Sequence, residues 1–213
     1  MNKHMTAQTL SRLPIYYNYL TSLSDEKKNG NISATAIAEA LGLNDVQVRK
    51  DLASVSRGGR PKVGYAASEL LGDISRFLGF ENHDGVIVAG MGNLGRAMLE
   101  FNGFADYGFD IICGFDRSKE LVGREINGKP VRDIAEMAGF CKENGIKIGI
   151  ITVPETSAQA VCNAMAEAGI EYILNFAAVH LTAPKGVTVH NENISLTLAM
   201  LARCSSNSMS SEQ

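Results

Sequence analysis

The sequence predicts an α/β Rossmann domain, a doubly wound parallel sheet, preceded by a small N-terminal all-α domain of the winged-helix kind. Three observations carry this. A short apolar run, Val86–Ala89, leads directly into Gly90–Met91–Gly92–Asn93–Leu94–Gly95 and then into the helical pattern Ala97, Met98, Leu99. Strand, glycine turn and helix in that order are what a dinucleotide-binding unit requires. Beyond it, strand-like runs alternate with helical stretches, the signature of a parallel sheet covered on both faces. Ahead of it, two short amphipathic helices are joined by a Gly-containing turn and followed by a basic loop.

The 213 residues suit two domains, with 45% hydrophobic and 20% charged residues. No apolar run is long enough for a membrane span, and the first twelve residues lack the apolar core of a secretion signal. The expected location is therefore the cytoplasm. Cys113, Cys141, Cys162 and Cys204 are scattered, with no Cys-x-x-Cys pair, so they read as reduced thiols rather than a disulfide frame or a zinc site. The net charge of −3 hides an asymmetry. Residues 1–80 hold ten Lys/Arg against seven Asp/Glu, and residues 81–213 hold ten against sixteen. Arg49, Lys50, Arg57, Arg60 and Lys62 concentrate the basic excess, a candidate phosphate-binding footprint.

Taken in order, Leu10, Leu13, Tyr17 and Leu20 recur at helical spacing, with Pro14 placed in or near a first turn. Ser24–Asn31 breaks the pattern. Ser33 is the expected N-cap of a helix carrying Ile37, Ala38 and Leu41, and Gly42 turns the chain out of it. A second helix starts at Asn44 or Asp45 with Val48, Leu52 and Val55 on one face. Its other side shows Gln47, Lys50 and Ser54 with Arg49 alongside, the donor-rich set a recognition helix presents to base edges and phosphates. The wing follows, with Arg57, Arg60, Lys62 and Tyr65. Ser33 and Asn44, at the two helix starts, complete the candidate DNA contacts. The domain boundaries expected are 1–80 for the winged helix, 81–192 for the Rossmann domain, 193–203 for a C-terminal helix, and 204–213 for a serine-rich disordered tail.

In the Rossmann domain, Gly90, Gly92 and Gly95 allow a tight turn and the close approach of a pyrophosphate to a helix N-terminus. The strand Asp110–Phe115 ends on Asp116, 21 residues beyond Gly95, where a carboxylate accepts from an adenosine ribose and repels a 2′-phosphate. That predicts NAD(H) over NADP(H), with Arg117 and Lys119 as countervailing cations. Lys147–Val153, Tyr172–Phe176 and Val187–His190 read as further strands, and Ser157–Ala168 as a helix. Thr152–Val153–Pro154 and Asn175–Phe176–Ala177 fall at strand ends, beside the expected nicotinamide half.

With Gln47–Leu52, Val63–Gly64–Tyr65, Gly92–Gly95, Phe115–Asp116, Val122–Val131, Thr152–Pro154 and Ile173–Ala177 in hand, the chain resembles the Rex family of redox-sensing repressors from about Arg12 to Ala202. The resemblance implies a homodimer that binds inverted-repeat operator DNA and releases it when NADH replaces NAD⁺. It also implies that the Asn193–Arg203 helix is exchanged between subunits, where Leu196, Leu198, Met200 and Leu201 give it an apolar surface that needs a partner. Phe101 stands where the family commonly has tyrosine after the Rossmann helix, and Asn193–Ile194 where it commonly has an Asp-Phe or Asp-Leu pair opening the last helix. A Tyr–Asp hydrogen bond between those positions therefore cannot form here, and Phe101, Asn193, Ile194 and Leu196 are the expected switch and dimer residues. Asn18 replaces a usual arginine, and Arg60–Pro61–Lys62 and Ser54–Val55 also depart from the family pattern. These departures imply a retuned response and a shifted operator preference.

Two other readings share these motifs. One is a repressor of this kind answering to another nucleotide, such as a coenzyme A or ADP-like ligand; Asp116 favours a free ribose diol over coenzyme A with its 3′-phosphate. The other is a small NAD-dependent dehydrogenase. Of His4, His83, His180 and His190, only His180 follows a sheet strand, no Tyr-x-x-x-Lys pair accompanies it, and the nucleotide fold leaves no room for a substrate domain. The expectation is a regulator and not an enzyme.

Overall fold

The computed structural model describes residues 5–208, with side chains through residue 203. The chain divides into two compact units, residues 1–82 and 83–213.

In the first unit, helix α1 (Ala7–Thr21) is followed by α2 (Asp25–Lys28), strand β1 (Asn31–Ile32), α3 (Ala34–Leu41), α4 (Asp45–Val55), β2 (Tyr65–Ala66) and α5 (Ala67–Leu78). The expected ends of α3 are present, and Asn44 caps α4. Ser33 Oγ accepts from Ala36 N–H, Asn44 Oδ1 accepts from Gln47 N–H, and Gly42 takes the left-handed conformation (φ +63°) that ends α3. Leu13, Tyr16, Leu20, Ile37, Val48, Leu52, Leu70 and Ile74 form the core.

Three expectations are corrected here. Pro14 is the eighth residue of α1, not a first-turn residue. It leaves the Leu10 carbonyl without its helical donor, and the structure tolerates this because Leu10 lies on an exposed face. The buried stripe is Thr9, Leu13, Tyr16 and Leu20, so Leu10 faces outward and Tyr16 replaces Tyr17 as the core tyrosine. The wing is more than a loop. β1 pairs antiparallel with β2, and Arg60 and Gly64 exchange backbone hydrogen bonds of 2.8 and 2.9 Å across a tip formed by Pro61, Lys62 and Val63. Helix α5, which packs on α1, has no counterpart in the sequence expectation.

The second unit is built on β3 (Asp84–Ala89), α6 (Asn93–Glu100), β4 (Phe109–Asp116), β5 (Glu125–Ile126), β6 (Lys129–Asp133), α7 (Met137–Asn144), β7 (Ile148–Ile151), α8 (Glu155–Glu167), β8 (Tyr172–Asn175), β9 (Thr188–Asn191) and α9 (Ile194–Ser208). The sheet order is β5-β6-β4-β3-β7-β8-β9, all parallel except the β5–β6 hairpin. Strand order therefore reverses between β3 and β7, and a ligand crevice belongs outside that point. Val86, Val88, Ile111, Val131 and Ile150 face α6, while Ile87, Ala89, Cys113, Phe115, Ile151 and Ile173 face α7 and α8.

One irregularity sets the site. Val86 pairs with Ile111 but Ile87 pairs with Cys113, so Ile112 is an extra residue in β4. A one-residue insertion exchanges the faces of everything after it. It turns Cys113 and Phe115 to the same side as Ile87 and Ala89, and it brings Asp116 level with the glycine turn. Helix α9 begins at Ile194 and continues to Ser208, five residues past the expected Arg203 boundary and into the stretch expected as tail; residues 209–213 lie outside the described residues. The thiols of Cys113, Cys141 and Cys162 are buried.

Candidate functional site

At the carboxyl ends of β3, β4, β6 and β7 lies a cleft of about 700 Å³. Its floor is the turn after β3. Gly90 (φ +100°) donates its N–H to Phe115 O at 2.7 Å, and a side chain there would strike Val153 and Thr152. At Gly95 a Cβ would fall on the carbonyl oxygen of Gly90, so only glycine lets α6 start this close to the turn. Gly92 is the opposite case. It has open space where its Cβ would be, at the exposed N-terminus of an eight-residue helix, which suits an approaching anion. Thr152 ties the two central strands together, its hydroxyl donating to Gly90 O at 2.7 Å or Ala89 O at 3.1 Å.

Asp116 sits on the cleft wall, where Oδ2 accepts from Met91 N–H (2.6 Å) and Oδ1 from Ser118 N–H (2.8 Å). Each oxygen keeps a second lone pair, so the carboxylate that braces the glycine turn can still accept from a diol. Arg117 lies beside it. Ile134, Ala160, Val161 and Ala164 supply an apolar end fit for a purine, and Thr156 and Ser157 open α8. The sequence expectation missed these six; a helix following a strand end was readable, but which of its turns faces a cleft depends on packing.

Several expected cofactor residues are placed differently. The Met91 side chain is fully buried with its sulfur under Gly114, and only its N–H serves the site. Asn93 and Leu94 are exposed on the first turn of α6 and do not line the cleft, nor do Asn175, Phe176 and Ala177. Asn175 is completely buried. Its amide donates to Ala177 O, Val179 O and Asn191 Oδ1, and its oxygen accepts from Ala177 N–H, which fixes the long β8–β9 connection. His180 is a loop residue whose Nδ1 lies 3.4 Å from the Asn191 amide.

Phe101 ends α6, is 58% exposed, and meets Phe104 edge-on at 5.1 Å. The C-terminus of α6 just behind it is clamped by the β5–β6 hairpin. Lys129 Nζ donates to Leu99 O at 2.7 Å, and Asn127 donates to Glu100 O at 3.1 Å. Asn193 caps α9, its Oδ1 accepting from Leu196 N–H at 2.9 Å. Ile194, Leu196, Leu198, Met200 and Leu201 are all more than half exposed.

In the first unit, a groove of about 460 Å³ runs between the start of α3 and the wing, lined by Ser33, Thr35, Arg49, Arg60, Lys62 and Tyr65 among others. Lys50 and Arg57 are exposed. Three expected contact residues are turned to other work. Gln47 donates to buried Asp51 at 2.9 Å, Ser54 donates back to Asp51 O, and Tyr65 is nearly buried, its ring beneath Gly59. Asp51 also accepts from Arg12 Nε (2.7 Å), Tyr16 OH (2.8 Å) and Thr9 Oγ1 (3.1 Å). Burial pushes the Asp51 carboxyl up, but these donors outweigh it and hold it below the usual carboxylate range. Burial, together with Asp51, raises the Tyr16 hydroxyl to about 12. No sequence rule pairs Arg12 with Asp51, which is why this network escaped expectation.

Comparison with known proteins covers both units. The family described as "CoA binding domain" matches residues 81–179, and "Putative DNA-binding protein N-terminus" matches residues 5–53. The redox-sensing transcriptional repressor Rex of Treponema denticola is 40% identical over 92% of this chain and 92% of its own. That of Porphyromonas gingivalis is 37% identical over 91% of this chain and 88% of its own. Among solved structures, the Rex-family repressor RSP in complex with β-NAD⁺ and operator DNA aligns with a TM-score of 0.89 at 29% identity, covering 99% of this chain and 97% of that one. RSP with β-NADH aligns at 0.84 and 28% identity, covering 99% of each. With such identity spread over nearly the full length of both chains, this protein belongs to the family of redox-sensing transcriptional repressors Rex.

Proposed function

We propose that this chain is a DNA-binding repressor, not an enzyme, that acts in the cytoplasm as a homodimer on inverted-repeat operators and releases them when NADH occupies the cleft. The observation that carries this reading is the open face at Gly92 opposite Asp116. A pyrophosphate has room there and a ribose diol has its acceptor, on the same chain as a helix-turn-helix beside a cationic groove. Gly90 and Gly92 would hold the pyrophosphate, while buried Gly95 lets α6 start against the turn. Asp116 would hold the adenosine ribose, Ile134 and Val161 the purine, and Thr152–Pro154 the nicotinamide side. Arg49, Lys50, Arg57, Arg60 and Lys62 would carry operator affinity, with Ser33 and Asn44 at the helix starts. The apolar face of α9, with Ile194 and Leu196, and the ring of Phe101 would form the subunit contact that links the two sites. A ligand moves such an equilibrium only by binding one arrangement more tightly than the other, so NADH and NAD⁺ must be told apart near the nicotinamide.

The test is fluorescence anisotropy of a labelled inverted-repeat duplex, titrated with NAD⁺, NADH and NADPH at fixed salt. Release by NADH alone supports the reading. Tight DNA binding indifferent to all three leaves a repressor with a different effector, and absence of DNA binding overturns it.

A further inference from the structure

Asp45 is the first residue of the recognition helix α4, and its carboxylate does two things at once. It accepts from Arg49 Nη2 at 3.1 and 2.9 Å, one turn along the same helix. It also accepts from the hydroxyl of Thr35 on α3 at 3.1 Å. Thr35 and Arg49 both line the groove between α3 and the wing. Among the described residues Arg49 is the one cation of that groove held in an ion pair, whereas Arg60 and Lys62 have none. A carboxylate accepting from a guanidinium and a hydroxyl stands in for a phosphate. In the DNA-free chain, then, two phosphate donors are already satisfied by an acid the protein carries itself.

We propose that Asp45 sets discrimination between operator and other DNA by competing with phosphate for Arg49 and Thr35. This rests on the DNA-binding reading above. Non-specific binding is almost wholly a matter of phosphate neutralisation, so masking one cation and adding one nearby negative charge falls on it in full. In an operator complex the Arg49 donors that Asp45 does not use, Nε and Nη1, serve a base edge with the pair intact, so this cost is absent there. The pair is solvent-exposed on both sides, so a phosphate reaches it and competes directly.

The experiment measures affinity for operator and for scrambled duplex of equal length across a salt series, for the parent, Asp45→Asn and Asp45→Glu. For Asp45→Asn we expect scrambled DNA to bind about three- to tenfold more tightly and operator to change by about twofold or less. The log–log salt slope on scrambled DNA should steepen by about 0.9 per subunit, about 1.8 for the homodimer, one added phosphate contact in each subunit. Asp45→Glu, which keeps the charge, should stay close to the parent, and adding Arg49→Ala to Asp45→Asn should erase the gain. Equal tightening on both duplexes, an unchanged slope, or an Asp45→Glu variant that behaves like Asp45→Asn would each overturn the proposal. Failure of the parent to bind operator would instead sink the underlying reading, so the two are separable. Urea denaturation of the N-terminal unit, read by circular dichroism, checks that each variant is folded.

Discussion

Tyr16 and Asp51 stand 35 residues apart in sequence, yet the tyrosine hydroxyl donates to the carboxylate at 2.8 Å inside the N-terminal core. The contact joins the first helix to the back of the recognition helix, and with Arg12, Thr9 and Gln47 it satisfies a charge that is 2% exposed.

Asp51→Ala should destabilise the N-terminal unit by about 2–4 kcal/mol, less than a fully buried pair because Arg12 still reaches water. Urea denaturation followed by circular dichroism measures it. The pH dependence follows from the direction of each shift. Asp51 is lowered, so its contribution is whole above the ordinary value of 3.8 and is lost as pH falls through the lower folded value. Tyr16 is raised to about 12, so its contribution is whole below 10 and is lost as pH rises from there to 12. Asp51→Asn should flatten the acid limb.

Gly92 and Gly95 should separate binding from folding. Gly92→Ala meets nothing in the protein, so thermal stability should hold while NADH no longer raises the melting temperature. Gly95→Ala drives a methyl into the Gly90 carbonyl and should cost about 1–3 kcal/mol of fold stability as well as NADH binding. Differential scanning fluorimetry with and without NADH reads both.

Lys129→Ala removes a cation from the C-terminus of α6 and leaves the Leu99 carbonyl without its donor. Thermal unfolding of the second unit should show a loss of about 1–2 kcal/mol, with Lys129→Arg partly restoring it.

Leu198→Glu combined with Leu201→Glu places two charges on the apolar face of α9. Sedimentation velocity should report monomer in place of dimer, and affinity for an inverted repeat should fall at least tenfold because the two half-sites are no longer bound together.

Local rules carried much of this molecule. The caps at Ser33 and Asn44, the left-handed Gly42, the strand–turn–helix around Gly90–Gly95 and the acid at the end of β4 all depend on neighbours a few residues away, and all are present. What escaped depends on partners far along the chain. The extra residue at Ile112 leaves no mark in an apolar run, yet it decides which face Asp116 serves. Met91 and Asn175 have residue types and positions that suit ligand contact, but the nearest unmet demands are a gap under Gly114 and the open carbonyls of the β8–β9 connection. Gln47 looks outward by helical phase until a buried carboxylate one turn later claims its amide.

The three buried thiols carry a further consequence. Burial pushes Cys113 and Cys141 up to about 11 and raises Cys162 as well. At pH 7 only about one in ten thousand of the first two is a thiolate, the nucleophile that attacks peroxides and disulfides. Oxidants thus find little chemical foothold on these three sulfurs, and redox information carried by exchange of a bound molecule bypasses them. Such a record is erased by dissociation alone: it needs no reductase to reset it and leaves no covalent scar on the chain.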